Sequence, residues 1–405
     1  MLSLASSGNA TEVPPEATYQ MILGRLLADE GRGREATESF VAAIELAPED
    51  PYIRLEYSRL LLRQRRLRKA AQQVATAYQL APNEPAVLRA YADIQLKMAG
   101  QEPGALEAAR LALEKLRELD PDDVESMVSL GQIYLSEQSP ERAAEVFQEV
   151  IDRTSGNRMV YRLLVDALVR AGQSDRAVEV LRQALTLDPL FTRARIVLAE
   201  MLGEQGRHEE AVAVLAGAPE VETRDVELQR RLALELHRAG DYAGALRAID
   251  EVLAVEPSDY AALYLKTLIL ALQGADEEAI QLARRLVALH PDSLDVVILL
   301  AELLERQGQW READRELYRV ERQLRVAREM QGAGQALAQR AVSLTRAGAW
   351  PEVVEALEPH LPELEDQSLT DLIFLYVDAQ VHLGQRGKAM AVLARLAKES
   401  SVGRS

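Results

Sequence analysis

YQMILGRLLADEGRGREATESFVAAIELAPED, residues 19–50, followed by IRLEYSRLLLRQRRLRKAAQQVATAYQLAPNE, residues 53–84, decides the fold, because the second stretch repeats the first at an offset of 34. Leu-Ala-Pro closes both, at Pro48 and Pro82, and further prolines stand at Pro121, Pro189, Pro257 and Pro291. Pro257 and Pro291 are again 34 apart, and Pro121, Pro189 and Pro257 are each separated by 68, two such units. A fixed period of this length is the mark of an array of supersecondary units rather than of one globular core.

Within the period the apolar residues recur at helical, not strand, spacing, as in Leu164, Leu168, Ala177, Leu181 and Ala184. A small residue precedes each proline by twelve places, at Ala36, Ala70, Ala109, Ala177, Ala245 and Ala279, while Ala143 and Ala211 fill the units without the proline. A larger side chain follows it at Phe40, Val74, Leu113, Leu181 and Ile249. Short breakers, such as 171–174, 205–208, 239–242 and 347–350, carry a glycine able to end a helix in the left-handed conformation. Each unit therefore reads as helix, tight turn, helix and a proline-marked stop. Units begin near 17, 51, 85, 124, 158, 192, 226, 260, 294, 334 and 370, with register slips at 101–104, after the ninth unit and near Gln367. The second helix of the ninth unit is expected to run long, since neither proline nor glycine interrupts 310–331.

This pattern resembles the tetratricopeptide repeat family: the first unit presents Gly24, Leu27, Ala36, Phe40, Ala43 and Pro48 at the family's signature places, and the fourth presents Gly131, Tyr134, Ala143 and Phe147. The resemblance implies an all-α fold, an α/α superhelical solenoid of tandem helix-turn-helix repeats, with an inner groove lined mainly by the first helix of each unit. It divides the chain into a disordered N-terminal segment, 1–16, regular repeats one to nine over 17–327, and irregular repeats ten and eleven with a C-terminal cap over 328–403. The start, Met1-Leu-Ser-Leu-Ala, lacks a basic stretch. It is expected to be a plain disordered end, the alternative being the remnant of a signal peptide that begins upstream.

Composition narrows the classes of partner and chemistry. Lys and Arg number 47 against 64 Asp and Glu, a formal charge of −17 that argues against nucleic acid as a partner. No cysteine is present, so thiolate chemistry is absent, and no run approaches the about 18 uncharged apolar residues of a transmembrane helix. Lysine is scarce beside arginine, which hints at a bacterial source of high GC content. The five histidines, His208, His237, His290, His360 and His382, show no metal-ligand spacing, and pairs such as Asp122/Asp123 and Glu209/Glu210 sit where helices start. Catalytic, metal and cofactor residues are accordingly expected to be none.

The resemblance carries the family's inward-facing places onto Arg25, Tyr52, Arg59, Arg63 and Arg89, with Lys97, Asp29 and Asp93 among them, then Arg162, Arg170 and Asp166, and Arg230 with Arg238. In the eighth unit it carries them onto Ala261, Tyr264, Leu268, Ala271 and Leu272. Arginines on an inner wall suit a partner segment bearing carboxylates, which a guanidinium grips bidentately. The competing reading pairs each arginine with an acid of an adjacent helix. The apolar strip of the eighth unit suits a hydrophobic segment. The basic run over 54–69, with seven cations against Glu56, is read as a solvated helix face. The family's clamp for a C-terminal carboxylate is missing, because Met21 and Arg25 stand where its lysine and asparagine belong. The expectation is a scaffold or adaptor that binds a protein or peptide with acidic or hydrophobic segments and is able to self-associate through the ends of the array. It is placed in the cytoplasm, the alternative being a periplasmic or lipoprotein-like cell-envelope protein that assists export or assembly of polysaccharide or outer-membrane components.

Overall fold

A computed structural model describes residues 13–154, 157–366 and 369–402, and among them every regular element is helical. Residues 1–12 of the expected N-terminal segment, the slip at 367–368 and the final residues 403–405 lie outside this description. The chain forms two compact units that divide between Leu198 and Ala199.

The first unit is a run of antiparallel hairpins: α1 (Pro15–Asp29) on α2 (Gly33–Leu46), α3 (Pro51–Arg63) on α4 (Leu67–Leu80), and α5 (Pro85–Met98) on α6 (Ala105–Leu119). α7 (Val124–Ser136) with α8 (Pro140–Arg153) and α9 (Arg158–Arg170) with α10 (Ser174–Leu187) follow, and α11 (Thr192–Glu204) crosses into the second unit. α1 begins at Pro15, ahead of the expected start at 17, because proline is pre-set for the first helical turn, where its missing N–H costs nothing. The predicted small positions are what let the helices close. Ala36, Ala70, Ala109, Ala143 and Ala177 are wholly buried. Gly24 and Gly131 lie against the rings of Phe40 and Phe147, where an added Cβ would stand 3.0 and 2.5 Å from a ring carbon.

The second unit continues with α12 (His208–Ala216), α13 (Val226–Arg238), α14 (Tyr242–Val255), α15 (Tyr260–Leu272), α16 (Asp276–Leu289) and α17 (Leu294–Arg306). α18 (Trp310–Ala327), α19 (Met330–Arg346), α20 (Trp350–Leu357), α21 (Leu361–Asp366), α22 (Thr370–His382) and α23 (Arg386–Val402) complete it. Tyr242, Trp310 and Trp350 open the second helices of their hairpins. α12 has only 9 residues, since Gly217 and Pro219 stop it early. α18 has 18, and Arg328 caps it in the left-handed conformation at φ 64°. α19 then starts at Met330 rather than near 334, with Gly332 admitting the side chain of Leu324 to 3.2 Å of where a Cβ would be.

Glycines at 31, 172, 206, 240, 274, 308, 348 and 384 take positive φ in the tight turns, as expected. In the second and fourth hairpins the same turn is made without glycine, by Arg65 at φ 57° and Gln138 at φ 56°.

Candidate functional site

The arginines predicted for an inner wall are, with one exception, already paired. Arg25 lies 3.6 Å from the Glu56 carboxylate, which also accepts from Arg59, and Arg63 donates to Asp29 at 2.8 Å. Arg170 donates to Asp166 one turn away at 3.0 Å. Arg89 donates to Asp123 at 2.6 Å and to Asp120 at 3.2 Å. Arg230 is held by Asp259 at 2.8 Å, by Glu256 at 3.3 Å and by Glu227. The Arg89 and Arg230 pairs are built on helix caps: Asp123 and Asp259 precede α7 and α15 and also accept the N–H groups of Ser126 and Ala262. Burial alone would raise both carboxyls, yet these hydrogen bonds and guanidiniums hold them below the ordinary aspartate value. Pairing across helices therefore describes Arg25, Arg63, Arg89 and Arg230, while Arg59, Arg170 and Arg238 pair with acids of their own helix.

Arg162 is the exception. It projects exposed from α9, and among the described residues no carboxylate lies within ion-pair distance of it. Tyr52, at the start of α3, is 46% exposed, and its hydroxyl is pushed above the ordinary tyrosine value by partial burial and by Glu84.

The residues the structure brings together are Arg230, Tyr264 and Leu268. They line one cavity of about 470 Å³ walled by α13, α14 and α15, whose floor adds Leu234, Ile249 and Val252. The cavity is mainly apolar. Tyr260 and Tyr264 stack there with ring centroids 5.8 Å apart, and Leu272, one turn beyond Leu268, is 63% exposed. Tyr264, Leu268 and Leu272 thus mark one stripe at i, i+4 and i+8 that leaves the cavity along α15. His237 also lines it; burial, then the neighbouring Arg238 charge, holds its imidazole below the ordinary histidine value.

Other histidines take structural partners that sequence spacing did not reveal. His208 Nδ1 lies 2.8 Å from the fully buried Glu235, which Arg238 also contacts at 3.1 Å, and a Cβ at Gly203 would approach that carboxylate to 2.7 Å. His382 stacks on Trp350 at 3.9 Å, and His290 meets Tyr260 edge-on at 4.9 Å. Among the described residues no group of three or more His, Asp or Glu is placed to hold a metal ion, and no helix is long and apolar enough to cross a membrane.

Comparison with known proteins follows the same lines. Two family models of the tetratricopeptide repeat match, one over 104–158 and 230–293 and the other over 27–94 and 168–234, between them more than half of the chain. The human protein O-mannosyl-transferase TMTC1 is 24% identical over 189 residues, 46% of this chain but 21% of that protein. The TPR repeat-containing protein YpiA of Bacillus subtilis is 22% identical over 186 residues, 46% of this chain and 44% of that protein. The chain thus spans less than half the length of either relative. Among solved structures, Naa15/Naa10 bound to HypK-THB aligns over 94% of this chain and 63% of that chain, at 12% identity and a TM-score of 0.51, a likeness of fold. The period, the hairpins and their small-residue contacts agree with these matches, and the chain belongs to the tetratricopeptide repeat family, the all-α fold of tandem helix hairpins.

Proposed function

We propose that this protein is a non-catalytic scaffold that holds an extended, apolar segment of a partner protein in the cavity walled by α13, α14 and α15. The observation that carries this is the coincidence, in one hollow of about 470 Å³, of an apolar floor with an arginine whose charge is already neutralised. That volume falls within the about 300–1,000 Å³ common for ligand sites. Arg230, held by three carboxylates, has little left to offer an acidic ligand, so the apolar floor sets the preference. The stripe of Tyr264, Leu268 and Leu272 runs on beyond the hollow, which suits a chain more than a compact small molecule. Such a segment gains from burying apolar area, about 25 cal/mol per Å² before the cost of ordering it.

A photo-crosslinking amino acid placed at Ala261, in the cavity wall, is expected to capture one discrete polypeptide in cells, and Leu268→Glu in the same chain to abolish that capture. Equal capture from the exposed Glu251 position on α14, or capture indifferent to Leu268→Glu, would overturn the assignment.

A further inference from the structure

Arg89, Arg162 and Arg230 occupy one and the same place, the fifth residue of α5, α9 and α13. For Arg89 and Arg230 the residue just before the next first helix is an aspartate, Asp123 or Asp259, and it takes the guanidinium. For Arg162 that place is Phe191, just before α11. The exchange removes the internal counter-ion and supplies an apolar wall instead. Beside it lies a separate cavity of about 310 Å³, lined by Arg162, Tyr161, Val165, Leu181, Phe191 and Arg193 among others and by no acidic residue.

Two further observations mark this hollow as unfinished. Tyr161 is only 2% exposed and its hydroxyl has no hydrogen-bond partner, a costly state for a buried polar group. Arg193, exposed on α11, has no carboxylate within ion-pair distance among the described residues, and the nearby acid on the α9 face, Asp166, is engaged by Arg170. Arg158 is tied to Asp188 at 2.6 Å and lies over the Phe191 ring, so it frames the mouth without needing a ligand. In a chain of net charge −17, a hollow edged by arginines and free of acids points to charge supplied from outside.

We infer that this cavity binds an acidic–apolar segment of a partner protein, seating an apolar side chain against Phe191, Val165 and Leu181 while a carboxylate two residues away meets Arg162 and Arg193. In an extended chain, residues i and i+2 share a face and stand about 6.5–7 Å apart, so one segment reaches both the hollow and its rim. The inference rests on the reading of this chain as a binder of protein segments, but at a second site with the opposite charge preference.

The test is fluorescence anisotropy on the full chain at low salt, with labelled peptides whose termini are blocked and whose centre reads Leu-Ser-Glu, Leu-Ser-Gln or an uncharged apolar run. The Glu peptide is expected to bind at least tenfold more tightly than the Gln peptide. Arg162→Gln and Arg193→Gln, both at exposed positions, should each erase most of that preference. Phe191→Asp should erase it as well, by restoring the internal counter-ion seen at Asp123 and Asp259; a melting curve checks that this variant folds, and the two arginine variants decide if it does not. Equal affinity for Glu and Gln peptides, or a preference that survives Arg162→Gln, would overturn the inference. Binding of the apolar peptide, lost in Leu268→Glu, with no acid preference anywhere would remove this site alone; no binding of any peptide would remove the general reading with it.

Discussion

Glycine at 131 is a packing residue before it is a flexible one. An alanine there would bring its Cβ within 2.5 Å of a Phe147 ring that is wholly buried. Overpacking of this kind costs about 1–3 kcal/mol, against about 1 kcal/mol gained from helix propensity, so Gly131→Ala is expected to destabilise. At Gly24 the corresponding approach is 3.0 Å, and the two effects should nearly cancel. Thermal melts of both single variants, and of Gly131→Ala with Phe147→Leu, check this: the double variant should regain much of the loss. The turns give the opposite sign. Arg65 sits exposed at φ 57°, a conformation that costs a side-chain-bearing residue about 1–2 kcal/mol. Arg65→Gly relieves that cost and adds about 0.4–1 kcal/mol of unfolded-state entropy, so a net gain of about 0.5–1 kcal/mol is expected in the urea midpoint. The small and large positions were legible because a period repeats them, whereas Arg65 and Gln138 carry no residue-level mark of a left-handed turn. Nor does Arg162 look different from Arg230 until the residue 29 places on is compared: Phe191 against Asp259. That comparison needs the structure to show that the cap and the arginine touch.

At the scale of elements, the long α18 and the broken α20–α21 stretch are joined by a polar network no pattern foretold. Glu321, nearly buried on α18, accepts from Arg325 at 3.0 Å and lies 3.5 Å from His360 Nε2 and 3.8 Å from Arg340 of α19. Arg325 also donates to Glu363 of α21 at 3.2 Å, and Arg340 to Asp314 at 2.6 Å. The long α18 was readable from its missing breakers, but its partners come from 19 to 39 residues onward, where the repeat has lost its phase. Burial first, then Arg325 and Arg340, hold the His360 imidazole below the ordinary histidine value, although Glu321 and Glu363 pull the other way. A base whose folded pKa is depressed binds its proton more readily in the unfolded chain. The stability linked to it is therefore present above about pH 6.5, the ordinary value, and is lost as pH falls through that value toward the depressed one. Hydrogen-exchange protection of α19 and α21 should fall between pH 7 and pH 5.5 more than that of α3, and His360→Gln should remove the difference. Unchanged relative protection would show that the network holds its charge elsewhere.

For the whole molecule, family membership explains how the chain is stabilised and leaves open what it holds, because the repeat constrains buried positions while binding residues are drawn from those it leaves free. Ala36, Ala143 and Ala279 could be anticipated from the period alone, since each must be small for helices to approach. Tyr264 and Leu268 could be anticipated only as inward-facing, and that they share a hollow with Arg230 depends on three helices meeting. The same separation predicts how damage spreads. Among the described residues each hairpin touches mainly its neighbours in sequence, so stability is a sum of local and nearest-neighbour contributions. Gly131→Ala strains the α7–α8 contact, and its cost should appear as faster exchange in α6 through α9. The amides of α17 through α19 lie in the other compact unit, and their protection should stay within about a factor of two of the parent. Exchange measured across the chain by mass spectrometry separates the two behaviours: a uniform loss from α1 to α23 would mean that the array unfolds as one body, and the additive account of its stability would fail.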